Sequence, residues 1–149
     1  MQLLLVEDDQ NKRDRITAYL AEDYPSVSVS VACSLVSGLR AANEISPDLV
    51  ILDMTLPNYD GPTEGRSNRM HAFGGEEFLR QAKRRKINTK VVVVTQFETF
   101  GDPPNLKTLI DISNSLSQKY AEIFIGSIYY HASQSKWKSE LSFIIRQFV

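Results

Sequence analysis

The aliphatic runs Leu3-Leu4-Leu5-Val6, Leu49-Val50-Ile51-Leu52 and Val91-Val92-Val93-Val94 each stop on a polar side chain. A run without polar alternation has no face to show to water, so each reads as a strand buried on both sides. The residues that end them are Glu7-Asp8-Asp9, Asp53 and Thr95. Pro57 follows Asp53 closely and cannot donate to a strand ladder, which places Asp53 at the carboxyl end of its strand. In open α/β sheets that rim is where ligands bind.

Helical patterns separate the runs. Ile16, Tyr19 and Leu20 fall at helical spacing among Lys12, Arg13, Asp14 and Arg15, with Asp9 as N-cap and Tyr24-Pro25 as the stop. Ser26 to Ala32 alternates Ser and Val, which suits a strand near a sheet edge. Ser34 caps a second helix carrying Leu35, Leu39 and Ala42 on one stripe, and Ser46-Pro47 ends it. Gly75 to Lys86 reads as a third helix, acidic at its start (Glu76, Glu77) and basic at its end (Lys83 to Lys86), as the helix dipole favours. Asp102-Pro103-Pro104 reads as a loop. Leu106, Leu109, Ile110, Ser113 and Leu116 mark a fourth helix, Glu122 to Ser127 a fifth strand, and Trp137, Leu141, Ile144, Ile145 and Phe148 a final amphipathic helix.

Strands alternating with helices imply a parallel sheet covered on both faces by right-handed crossovers. The expected fold class is α/β: five parallel strands in the order 2-1-3-4-5, doubly wound with five helices. A length of 149 residues suits one core, so the expectation is a single domain over 1–149 without an output domain. One stretch breaks the rhythm. The glycine-punctuated, mildly basic segment at about 61–74 is far longer than an ordinary strand-to-helix loop and reads as an insertion.

Composition narrows the function. A net charge of −1 offers no bulk attraction to nucleic acid or to an anionic membrane, so neither is expected as a partner. The lone Cys33 excludes an intrachain disulfide and a Cys-rich metal site, and fits a reducing, cytoplasmic setting. No basic n-region or cleavage site follows Met1, and no apolar run is long enough to span a membrane.

In the order 2-1-3-4-5 the first and third strands are neighbours at the switch point, so Glu7, Asp8 and Asp53 converge. Carboxylates packed that closely repel and raise one another's pKa, a conflict that a divalent cation removes. Hard oxygen donors suit Mg²⁺ rather than zinc. With Mg²⁺ bound, Asp53 has an oxygen free to attack a phosphoryl group and form an acyl phosphate, and the Thr95 hydroxyl one strand over can hydrogen-bond a phosphoryl oxygen.

These segments, with Asp60-Gly61, resemble the receiver domain of two-component response regulators, a CheY-like fold. The resemblance covers nearly the whole chain in the right order. It implies that Asp53 is phosphorylated by a histidine kinase or phosphotransfer protein. It implies further that Asp8 and Asp53 bind Mg²⁺ directly, that Glu7 acts through water and that the Thr55 backbone carbonyl is another ligand. Thr95 would be the switch hydroxyl; Phe124 matches the position of the switch aromatic, while as a residue it reads first as core. Output would pass to a downstream protein, with a homodimer through the fourth helix, fifth strand and fifth helix as a further expectation. No enzymatic activity is expected beyond Mg²⁺-dependent phosphorylation and dephosphorylation of Asp53 itself. A haloacid-dehalogenase-like phosphatase is disfavoured, because Thr55 stands where that family needs a second Asp.

The chain departs from the family in two places. Receivers carry a Lys-Pro pair at the end of the fifth strand. Matching Ala121 and Phe124 to the family's alanine and aromatic puts Ser127 in the lysine position, and a serine cannot supply a positive charge. The insertion is the second departure, and Arg66, Arg69 or His71 within it are candidates to replace the missing cation. Two readings remain open at this point: a stand-alone phosphorylated receiver, and a phosphorylation-independent pseudo-receiver that serves as an interaction module.

Overall fold

The computed structural model describes residues 1–62 and 68–149. The elements run β1 (Gln2–Val6), α1 (Gln10–Asp23), β2 (Ser28–Ala32), α2 (Leu35–Ile45), β3 (Leu49–Leu52), β4 (Leu56–Pro57), β5 (Met70–His71), α3 (Gly74–Arg84), β6 (Lys90–Thr95), β7 (Thr99–Phe100), β8 (Lys107–Thr108), α4 (Leu109–Lys119), β9 (Phe124–Tyr129) and α5 (Lys136–Ile145). The five long strands form one sheet in the order β2-β1-β3-β6-β9, every pair parallel. Counted along the chain, that is the expected order 2-1-3-4-5.

The aliphatic runs behave as their lack of alternation requires. Leu4, Val6, Val50, Leu52, Val91 and Val93 point to one face, where they pack with side chains of α2, α3 and α4. Leu3, Leu5, Leu49, Ile51, Val92 and Val94 point to the other, against Ile16, Leu20, Trp137 and Leu141 of α1 and α5. Both faces are therefore dry, and the strand ends are held from two sides. β2 lies at the sheet edge, and its Val31 is 46% exposed.

Several boundaries move. The fifth sheet strand spans Phe124–Tyr129 rather than 122–127, because a register irregularity at Gly126 (φ 154°) shifts its pairing with β6. α3 ends at Arg84, and Lys86 adopts a left-handed φ of 56°. The fourth helix starts at Leu109, where the Thr108 side chain caps it, and the exposed Leu106 lies before it. The stretch expected as a loop around Asp102-Pro103-Pro104 is the turn of a small antiparallel hairpin, β7–β8, pairing Thr99 with Thr108 and Phe100 with Lys107. Phe100 is buried, its ring 6.5 Å from Phe73 and 6.4 Å from Phe97.

The insertion is fastened at its base. β4 and β5 pair antiparallel, Leu56 with His71 and Pro57 with Met70. The buried Asn68 side chain accepts from the Tyr59 amide at 2.8 Å and donates to the carbonyls of Tyr59 at 2.8 Å, Pro62 at 3.2 Å and Gly61 at 3.4 Å.

Candidate functional site

β1 and β3 lie side by side in register, Val6 opposite Leu52. Glu7 and Asp53 therefore step off the sheet as neighbours, and the Asp53 amide donates to the Val6 carbonyl at 3.1 Å. Glu7, Asp8 and Asp53 each place a carboxylate oxygen within 4.8 Å of the others. Glu7 and Asp53 are buried, while Asp8 is half-buried. Asp53 Oδ1 is buried and receives no hydrogen bond among the described residues.

Burial raises the pKa of Glu7 to about 8, with a further push from Asp53 and against the opposing pull of Lys12. Burial, then the nearby Asp53 charge, also raises that of Asp8. Acids held this close, this far from water, resist ionising together unless positive charge is brought in.

A positive charge is already at hand, from a residue that the pattern reading left on the solvent side of the first helix. Lys12 is 1% exposed; its Nζ lies 2.6 Å from Glu7 Oε1 and 3.6 Å from Asp53 Oδ2. It also donates to the Val94 carbonyl at 2.5 Å and sits 5.6 Å from the centre of the Tyr130 ring. The spacing held the signal: Lys12, Ile16, Tyr19 and Leu20 fall at i, i+4, i+7 and i+8, and these are the buried residues of α1. The Asp9 side chain caps the helix by accepting from the Lys12 amide at 3.0 Å, so Lys12 is fixed in the first turn, next to Glu7.

α3 closes the site from below. The Gly75 amide donates to the Met54 carbonyl at 2.8 Å, and a Cβ at Gly75 would fall 2.8 Å from the Asp53 carbonyl oxygen. Only glycine lets the helix start this close to the strand end. Thr55 lies in the turn after Asp53, its hydroxyl donating to the Ala72 carbonyl at 3.4 Å. Thr95 ends β6 at the same rim, fully buried. Its Oγ1 accepts from the Phe97 amide at 3.2 Å, which leaves the hydroxyl proton free to donate elsewhere.

Other expected site residues lie elsewhere. Ser127 pairs with Val93, short of the rim, and its hydroxyl accepts from Ser113 of α4 at 2.5 Å. Beside Thr95 the ladder brings Tyr129, and the Tyr130 amide donates to the Thr95 carbonyl at 2.8 Å. Phe124 pairs with Val91 at the opposite end of the ladder and packs in the core, so its ring is not at the rim. The spacing match from Ala121 fails because β9 begins late and is irregular at Gly126. Arg66 lies outside the described residues. Arg69 is exposed and forms no ion pair among the described residues, and His71 Nδ1 accepts from the Phe73 amide at 3.1 Å. Neither takes part in the contacts of the acid cluster.

The comparisons agree with this geometry. A family model described as "Response regulator receiver domain" matches residues 3–66, the segment that carries Glu7, Asp8 and Asp53. The chain is 39% identical over 143 residues to "Uncharacterized protein y4jR" of Sinorhizobium fredii, covering 95% of this chain and 94% of that protein. It is 27% identical over 143 residues to "Detocs response regulatory protein DtcB" of Enterobacter cloacae, covering 95% of each. Among solved structures, a CheY-like response regulator receiver domain protein from Methanospirillum hungatei superposes with a TM-score of 0.65 at 18% identity, over 98% of this chain and 91% of that one. This chain belongs to the response-regulator receiver family.

Proposed function

We propose that the chain is a receiver in two-component signalling. It accepts a phosphoryl group on Asp53 from a histidine kinase or phosphotransfer protein and acts through a downstream protein partner. The observation that carries this reading is the convergence of Glu7, Asp8 and Asp53 at one rim, with Asp53 Oδ1 buried and without a donor. In the transfer, an Asp53 oxygen attacks the phosphorus of a phosphoimidazole. The new O–P bond forms as the P–N bond breaks, the electron pair goes to the ring nitrogen, and that nitrogen takes a proton from water.

The donor set fits Mg²⁺. It is all oxygen, it is anionic even after pairing with Lys12, and the half-buried Asp8 leaves a path for ion and water. Asp8 and Asp53 would hold the ion directly, with Glu7 through water and the Thr55 carbonyl completing the set. When bound, Mg²⁺ neutralises charge on the transferring phosphoryl oxygens. Thr95 donates its free hydroxyl proton to a phosphoryl oxygen. The chain's chemistry ends with formation and hydrolysis of its own acyl phosphate.

Output fits the face made by α4, β9 and α5, where Ile110 (73%), Ile125 (40%) and Phe143 (72%) stand exposed. That face is also where a homodimer would form. Among the described residues no helix is long and apolar enough to cross a membrane, which accords with a cytoplasmic role.

A second reading is favoured by one observation. Lys12 already sits among the acids, as it would in a pseudo-receiver that keeps its fold without modification. Incubation with phosphoramidate and Mg²⁺, followed by intact mass measurement, separates the two. The receiver reading expects gain of one phosphoryl mass, absent in Asp53→Asn. An unlabelled wild-type chain, under conditions that label an ordinary receiver, sinks it.

A further inference from the structure

We infer that Lys12 is the cation that pairs with a phosphoryl group on Asp53, so that the charge missing from β9 has been supplied by the first turn of α1 on the other side of the same pocket. This rests on Asp53 being the acceptor and concerns what then reads the modification. The end of β9 supplies no lysine to the rim, since Ser127 is bonded to Ser113 and the ladder ends with Tyr129 and Tyr130. Among the described residues, Lys12 is the one basic side chain ion-paired to the acid cluster.

The geometry suits the task. An ammonium has three N–H donors. One goes to Glu7 Oε1 at 2.6 Å and one to the Val94 carbonyl at 2.5 Å. The third has Asp53 Oδ2 within 3.6 Å, beyond hydrogen-bond distance, so it is free for a group attached there. A phosphoryl group adds nearly two negative charges and strong acceptor oxygens. At contact, in a buried pocket, it draws the ammonium toward Asp53 and away from its bond to Val94.

That movement has two neighbours to act on. The Val94 carbonyl belongs to the peptide unit that leads into Thr95, so loosening it bears directly on the end of β6. On the other side, the ammonium lies 5.6 Å from the Tyr130 ring centre, and Tyr130 packs 5.2 Å from Trp137. Trp137 is the only tryptophan in the chain. Its emission therefore reports on the position of Lys12 without any label.

The test uses the full chain with Mg²⁺ and either phosphoramidate or beryllofluoride, a phosphoryl stand-in. The expected result has two arms. Wild type gains a phosphoryl mass and its Trp137 emission shifts; Lys12→Met loses the emission shift, whatever mass it gains. Lys12→Met that is labelled and responds like wild type overturns the inference while leaving Asp53 as the acceptor. A wild-type chain that gains no Asp53-dependent mass overturns the acceptor reading and this one with it. Should Lys12→Met not fold, for want of a partner to Glu7, the wild-type chain labelled with ¹⁵N-lysine answers instead. The Lys12 Nζ resonance is expected to shift on adding beryllofluoride, and an unmoved resonance overturns the inference.

Discussion

Lys12 Nζ and Glu7 Oε1 meet at 2.6 Å with both side chains only 1% exposed. Even so, burial outweighs the lysine and holds the Glu7 pKa up at about 8, against 4.5 for an ordinary glutamate. The folded chain thus keeps a proton that the unfolded chain releases. A raised pKa of this kind contributes stability in full below about pH 4.5, and the contribution is lost as pH rises through about 8. The metal-free protein should become easier to unfold across that window, with a slope of at most about 1.4 kcal/mol per pH unit. Urea titrations at a series of pH values measure it, and Glu7→Gln should flatten it. A wild-type profile as flat as the variant's would contradict the assignment.

Protons and Mg²⁺ compete for the same oxygens, so the metal should stabilise the fold more strongly as the acids ionise. The rise in melting temperature on adding Mg²⁺ is expected to be larger above the Glu7 midpoint than below it. Asp8→Asn removes a direct ligand, and its affinity should fall roughly tenfold or more, about 1.4 kcal/mol, by calorimetric titration. An Asp8→Asn chain that binds Mg²⁺ like wild type would place the ion elsewhere.

Gly75 is a test of how the strand end is held. A methyl group there meets the Asp53 carbonyl oxygen at 2.8 Å and the Met54 Cα at 2.9 Å, both backbone atoms that cannot swing aside. Gly75→Ala should cost roughly 1–3 kcal/mol, as overpacking does. It should also slow labelling of Asp53 by phosphoramidate, because the strain falls on that residue's own peptide. Unchanged stability and labelling would show that α3 can retreat freely.

Asn68 clasps the base of the insertion through one side chain. Asn68→Ala removes its bonds to Tyr59, Gly61 and Pro62, exposed residues whose backbone groups then turn to water. A loss of roughly 0.5–1.5 kcal/mol is expected. Limited proteolysis should cut the variant between β4 and β5 faster than wild type, with the sheet intact. Equal cutting rates would mean that β4–β5 pairing alone suffices.

The sheet was readable because its signal is coarse. Leu49 to Leu52 and Val91 to Val94 have no polar face, and only a strand covered on both sides accommodates that. The convergence of Glu7, Asp8 and Asp53 followed from strand order alone. Lys12 was hidden by its charge: a lysine on a helical stripe is usually solvent-facing, and it is buried here because two acids lie within its reach. Phe124 packs in the core, the role its residue type favoured, whereas Ser127 falls short of the rim because an irregularity at Gly126 shifts the β9 ladder, and spacing along a chain does not reveal a bulge. The β7–β8 hairpin went unseen because each arm is two residues long, too short for alternation to register.

That hairpin makes the connection from β6 to α4 a strut instead of a slack cord. Its arms are cross-linked at Thr99–Thr108, the Leu109 amide is tied to the Glu98 carbonyl at 2.9 Å, and Phe100 is wedged against Phe73 just ahead of α3. A push at the Thr95 end of β6 would therefore meet the first turn of α4 through these ties, and α3 through the same pair of rings.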